Sequence, residues 1–316
     1  MKPTLIASTF AALAVTTAAH ATTWSVTPYP GVPGATTTAL RGLNDAGVIV
    51  VDTDIGAFVD DHGVRTAYAF PTASPGNYLA AVSDGGVLVG GDGATAFIDD
   101  HGAIATLAVP GADQTIARGI SADGRYIAGS YANGADSAGF VYDRLTSTLT
   151  RVPGAPGSAV AWLADVNDDG VAVGGLASGG ASVVFDVRSG ASTVVASEGS
   201  LLAPVFLTIN DADQIAGYGF YKLPVGSGEY ASGFVGTLSG GFQQFDPQSN
   251  QFAAIADLDD QGQVVGAFVR DDGSDSPFTG RVASAVPEPG AGTLLLAGLL
   301  AARALARRRA RRDAVR

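Results

Sequence analysis

The chain contains no cysteine. That excludes disulfides, cysteine-ligated zinc and thiol nucleophiles, so packing and strand pairing alone must hold the fold. Charge is also scarce, at 15% of residues. Histidine occurs three times, and His20 falls in the leader segment discussed below. No Gly-x-Ser-x-Gly, His-Glu-x-x-His or phosphate-cradling loop is present. No uninterrupted apolar run reaches the about 20 residues of a comfortable membrane span. Basic residues are few and unevenly placed. The formal charge is −12, from 18 basic and 30 acidic residues. Setting aside Lys2, the seven arginines from Arg303 onward, Glu288 and Asp313 leaves 10 basic against 28 acidic residues, a body charge of −18. Such a surface repels phosphate backbones, which argues against nucleic-acid binding.

What is present is apolar and turn-rich. Hydrophobic residues make up 47% of the chain and glycine occurs 43 times. This is too apolar for a disordered chain and suits an all-β fold with many tight turns. The two ends differ from the body. Lys2, the apolar stretch Leu5 to Val15 and the step Ala19-His20-Ala21 have the order of a secretory signal, with signal peptidase expected to cut before Thr22. At the other end, Gly290 to Ala302 is apolar or small throughout, Arg303 interrupts it, and Ala304-Leu305-Ala306 continues it. A short C-terminal membrane helix is expected there. Arg303 would snorkel, and Arg307, Arg308, Arg309, Arg311 and Arg312 would stay on the cytoplasmic side.

The step Val286-Pro287-Glu288-Pro289, followed by that short apolar segment and a terminal arginine cluster, resembles the PEP-CTERM sorting signal of exported proteins in Gram-negative, exopolysaccharide-making bacteria. The resemblance implies recognition by a membrane-embedded exosortase. It also implies transient residence in the inner membrane and delivery to the cell surface or the extracellular matrix. The expected organisation is a signal peptide over 1–21, a repeat domain over 22–283 and a sorting tail over 284–316.

Between these ends one short pattern recurs six times. It begins at Leu43-Asn44-Asp45-Ala46-Gly47 and returns at Val82-Ser83-Asp84-Gly85-Gly86 and Ile120-Ser121-Ala122-Asp123-Gly124. It continues at Val166-Asn167-Asp168-Asp169-Gly170, Ile209-Asn210-Asp211-Ala212-Asp213 and Leu258-Asp259-Asp260-Gln261-Gly262. Successive copies lie 39, 38, 46, 43 and 49 residues apart, the period of a four-stranded propeller blade. Each copy closes a turn through Asx side chains and, in most, a glycine. A β-branched run ending in small residues follows, then a strand with one phenylalanine (Phe58, Phe97, Phe140, Phe185, Phe234, Phe278), then a fourth strand. These phenylalanines are expected to pack between blades rather than touch a ligand. The predicted fold is a six-bladed β-propeller of four-stranded blades. The count of strands is one short, because residues 41–282 supply six first, second and third strands but only five fourth strands. Trp24 to Thr27 is therefore expected to form the outer strand of the last blade, beside Phe278 to Val282, where the outer edge tolerates Pro28 and Pro30. The repeats also resemble a family of extracellular repeat proteins named for a His-Ala-Phe step. Here the histidine is replaced in every copy, and the resemblance implies no activity.

Candidate sites are sparse. Asp165-Val-Asn167-Asp-Asp169-Gly170 matches the first half of a calcium loop, but the twelfth position is Leu176 and not a bidentate glutamate, so calcium is at most a weak expectation. His62 and His101 occupy equivalent turns in neighbouring repeats and read as turn residues. If the first strand of each blade is innermost, Tyr78, Trp162, Tyr221 and Tyr230 share one face as possible sugar-stacking residues, with the longest loop spanning Tyr221 to Tyr230. The functional expectation is a non-catalytic surface or matrix protein associated with exopolysaccharide. A glycan-binding, lectin-like propeller is the alternative, and a propeller glycosidase or lyase the third reading.

Overall fold

The computed structural model describes residues 24–282 apart from positions 73, 75, 135, 153–159, 223–228, 246–251 and 270–274. The expected signal peptide and the sorting tail, with Val286 to Pro289 and the arginine cluster, lie outside the described residues.

The described residues form six antiparallel sheets. The innermost strands are Thr38–Leu43, Tyr78–Val82, Gln114–Ile120, Val160–Val166, Leu201–Ile209 and Phe252–Leu258, one for each of blades 1 to 6. Each neighbours the next, and the sixth neighbours the first, so they ring a central axis. Every sheet then runs outward through its second, third and fourth strands, and the architecture is a six-bladed β-propeller. Blade 5 carries one addition, the two-residue strand Ser197–Glu198, which pairs with the start of its inner strand.

The ring closes as the strand count predicts. Trp24–Pro28 is the outer strand of blade 6, antiparallel to Asp275–Val282, with Trp24 opposite Val282 and Pro28 opposite Phe278. The Trp24 ring meets Phe245 edge-on at 4.5 Å between centroids. Just beyond the strand, the Tyr29 hydroxyl donates to Asp60 of blade 1. Tyr68, which follows the outer strand of blade 1, donates likewise to Asp99 of blade 2 at 2.8 Å. The N-terminal strand thus stands where a fourth strand stands, down to the tyrosine that latches it to the next blade.

The core is divided. Six apolar clusters occupy the six seams between neighbouring blades. Each third-strand phenylalanine packs in the seam with the preceding blade. Phe140, Phe185, Phe234 and Phe278 are at most 1% exposed and Phe97 is 2% exposed, while Phe58 is half-buried. Small residues in the second strands make that packing possible. A Cβ on Gly129 would lie 2.9 Å from the Phe140 ring, and one on Gly266 would lie 2.8 Å from the Phe278 ring.

The Asx turns do more than reverse the chain. Asn44, Asn167 and Asn210 each accept the backbone N–H four residues on through Oδ1. Each donates Nδ2 to a carbonyl of the next blade's turn, on Ser83, Asn210 and Asp259 respectively. The following aspartates link the turns a second time. Asp45 N–H donates to Asp84, Asp168 to Asp211, Asp211 to Asp260, and Asp260 back to Asp45, at 2.7–2.9 Å. At blade 3, where Ala122 replaces the aspartate, the Ala122 carbonyl accepts from Asp84 and Asp123 N–H donates onward to Asp168. The six turns form one closed hydrogen-bonded ring.

Candidate functional site

Each inner strand carries a register shift at the same place, between Leu40 and Gly42, Leu79 and Ala81, Ala117 and Gly119, Leu163 and Asp165, Phe206 and Thr208, and Ile255 and Asp257. A bulge sets two consecutive residues against one and re-aims their side chains. The six bulged residues, Arg41, Ala80, Arg118, Ala164, Leu207 and Ala256, all line one axial cavity of 610 Å³. Tyr78, Trp162, Tyr218 and Asp52 line it too. The volume falls within the ~300–1,000 Å³ of small-ligand sites.

The residues after the bulges narrow the axis. A Cβ on Gly119 would come within 2.6 Å of the Asp165 Cα, so only glycine admits this approach of the two inner strands. Thr208 Oγ1 lies 3.0 Å from Asp165 Oδ2 and 2.7 Å from Asp257 Oδ1, and Asp257 accepts the Leu43 N–H at 2.7 Å. This belt separates the wide cavity from a void of only 40 Å³ under the ring of turns. Burial raises both carboxyls above the ordinary carboxylate range, and at Asp165 the charge of Asp257 adds to it. At the turn ring, partial burial raises Asp84, Asp168 and Asp211 as well, and neighbouring carboxylates push each of them further up. The small end of the axis is acidic and hydrogen-bonded shut.

The wide end has the opposite character. Arg41 and Arg118 project from blades 1 and 3 with only Ala80 of blade 2 at the equivalent position between them. Burial of the Arg118 guanidinium by the cavity walls lowers its pKa and the charge of Arg41 works in the same direction, although the side chain itself remains open to water in the cavity. Arg41 reaches Asp52 at 3.5 Å. Arg118 lies over the Trp162 ring, 5.7 Å from its centroid. Among the described residues it is the one arginine with neither a hydrogen-bond nor an ion-pair partner. Two glycines set the rings. A Cβ on Gly175 would lie 2.7 Å from the Trp162 indole, and one on Gly91 would lie 2.1 Å from the Tyr78 ring, so each ring rests against bare backbone. The Tyr78 hydroxyl donates to the Ala117 carbonyl at 3.3 Å, and burial pushes its pKa up to about 12.

Of the four aromatic residues proposed from sequence, the structure brings Tyr78 and Trp162 to this cavity. Tyr221 and Tyr230 are elsewhere. The blade 5 strands Ile215–Lys222 and Glu229–Thr237 extend into the segment read as a loop, and Tyr221 and Tyr230 pair across them. Tyr221 is 3% exposed, with its ring 5.9 Å from that of Tyr230, whose hydroxyl donates to Gln244. Neither offers a free ring face to a sugar in the axial cavity. The sequence reading missed Arg41, Arg118 and Tyr218. The calcium candidates diverge: Asp165 turns to Thr208, Asn167 closes its turn, and Asp169 pairs with Arg188 at 3.0 Å. No group of three or more metal-ligating side chains converges among the described residues. His62 and His101 are turn residues at positive φ, 72% and 68% exposed, each beside its neighbouring aspartate.

No protein-family model and no curated protein matches this chain. Solved propellers do. TolB from Acinetobacter baumannii aligns at 11% identity and a TM-score of 0.42, over 78% of this chain and 63% of that one. The chain therefore spans less than two thirds of that protein's length. An oligogalacturonate lyase from Vibrio parahaemolyticus aligns at 9% identity and a TM-score of 0.44, over 83% and 98% of the two chains. YCF48 from Cyanidioschyzon merolae aligns at 13% identity and a TM-score of 0.45, over 78% and 83%. At such identities the likeness concerns the fold and carries no activity.

Proposed function

We propose that this protein is an exported, non-catalytic propeller of the cell surface or extracellular matrix that binds a glycan in its wide axial cavity. The observation that carries the reading is the convergence of Trp162, Tyr78 and Tyr218 with two guanidiniums on one cavity of 610 Å³. Flat rings offer apolar faces on which sugars stack, and a few convergent polar groups fix orientation. The same observation favours the lectin-like reading over a bare scaffold. Glycoside hydrolysis ordinarily takes two carboxyl groups flanking the bond; this cavity has Asp52, held by Arg41, which supports binding rather than turnover. Export and surface delivery rest on the leader and on the PEP-CTERM-like tail at Val286 to Pro289.

A glycan array probed with the purified chain tests the binding reading. Binding that is lost in Trp162→Ala supports it, and a blank array returns the protein to a scaffold role. Turnover of the host's own polysaccharide would favour the glycosidase or lyase reading. Replacing Pro287-Glu288-Pro289 by alanines tests the sorting reading. Export should persist while the unprocessed form accumulates in the inner membrane, and unchanged release with an unchanged C-terminal mass would refute a role in sorting.

A further inference from the structure

Resting on the reading of the wide cavity as a glycan site, we infer that its ligand is acidic: a carboxylate-bearing sugar, whose carboxylate is held by Arg118. The body of the chain carries a charge of −18, so an anion approaches it against repulsion unless a local positive site receives it. The wide cavity is such a site. Two guanidiniums against the single carboxylate of Asp52 leave one net positive charge, which matches one monoanion. The two arginines are not equivalent. Arg41 is engaged by Asp52 at 3.5 Å, whereas Arg118 has no acidic or hydrogen-bonding partner among the described residues. Its neighbours are the Trp162 ring, Tyr78 and a second cation; burial lowers its pKa, and Arg41 adds to the lowering. Every other described arginine meets a carboxylate or a carbonyl. A guanidinium left unpaired in a walled cavity, beside a like charge, is placed for an incoming acceptor. Its planar fork suits the two oxygens of a carboxylate.

The rings set what carries the carboxylate. Arg118 and Trp162 are within 5.7 Å, so a group bonded to the guanidinium has an aromatic face beside it. A sugar ring bearing a carboxylate satisfies both partners at once, and a bare inorganic anion satisfies only one. The Tyr78 hydroxyl lies at the same wall, where it donates to the Ala117 carbonyl one residue before Arg118. It thereby ties the bulge that aims Arg118 to the neighbouring blade.

The test titrates the full chain with tetrasaccharides of glucuronate, galacturonate and mannuronate and with their neutral counterparts. At least one uronate is expected to bind, its neutral counterpart at least tenfold more weakly, and affinity should fall with added salt. Arg118→Ala should cost at least tenfold. Arg118→Lys, which keeps the charge but not the fork, should recover part of the loss. Arg118 has no hydrogen-bond or ion-pair partner to lose, only its contact with the Trp162 ring, so both variants should stay close to the parent melting temperature; Arg118→Gln serves as a third variant of similar length. Equal binding of neutral and acidic sugars, or an unchanged affinity in Arg118→Ala, would overturn the inference and leave the glycan reading standing. Inorganic phosphate binding at Arg118 with no tetrasaccharide bound would overturn both.

Discussion

Removing the strand Trp24–Pro28 opens the propeller at one place only. The deletion uncovers the edge of Asp275–Val282 along five residue pairs and strips Trp24 and Val26 from the seam that contains Phe245 and Phe278. The size of the effect can be bracketed with the smaller change Trp24→Ala. A fully buried tryptophan costs ~3–5 kcal/mol on truncation. Trp24 is half-buried, which scales the cost to about 2 kcal/mol, edge contact with Phe245 included. The deletion adds the strand's ladder hydrogen bonds, each worth roughly 1 kcal/mol net, and Val26. A loss of about 5 kcal/mol is expected, a large part of the ~5–15 kcal/mol that holds a typical domain. Urea unfolding followed by far-ultraviolet circular dichroism is the assay. The midpoint should fall modestly for Trp24→Ala and steeply for the deletion, which should also aggregate through its bare edge. A deletion variant with the parent midpoint would refute the closure and the counting of strands behind it.

Three further outcomes follow from the axis. Asp165 and Asp257 have pKa values raised by burial, so the folded protein holds protons that the unfolded chain has released. Their contribution is therefore intact below the ordinary carboxylate range and is lost as pH rises towards and past neutrality, each tenfold difference in proton affinity between the folded and unfolded chain being worth ~1.4 kcal/mol. Asp165→Asn should flatten this decline and raise the melting temperature at about pH 9 relative to the parent; an unchanged slope would contradict the assignment. Millimolar calcium should leave the melting temperature where it is, because Asp165, Asn167 and Asp169 face different partners, and a saturable rise would restore the loop. Gly175→Ala places a methyl 2.7 Å from the Trp162 indole, so the ring must turn. Glycan affinity should drop several-fold; if it does not, the indole is not part of the site.

Much of the fold was legible because its determinants are local and repeated. An Asx turn, a run ending in small residues and one phenylalanine recur at blade period, and a strand missing at one end has a match at the other. What the turns do between blades was not legible. A sequence shows that Asn44 and Asp84 hold neighbouring places in equivalent turns, but not that consecutive turns meet and exchange hydrogen bonds. The site was half legible. Tyr78 and Trp162 stand near strand starts on the open face and could be placed from the strand order. Arg41 and Arg118 are the single charged residues of their strands, and only the bulge beside each decides that they face the axis. Tyr221 was misplaced because the blade 5 hairpin stays paired farther than its turn-rich sequence suggests, which draws the ring into the seam.

The chain has two tryptophans, and they lie apart in function: Trp24 in the closing strand and Trp162 on the cavity wall. Trp24→Phe keeps an aromatic ring against Phe245 and leaves Trp162 as the sole indole reporter. Titrating that variant with an acidic tetrasaccharide, while reading tryptophan emission, tests the central claim directly. The account predicts a saturable change in emission whose midpoint equals the affinity measured by calorimetry, and which disappears in Arg118→Ala. Binding seen by calorimetry with no change in Trp162 emission would place the ligand elsewhere on the propeller and contradict it.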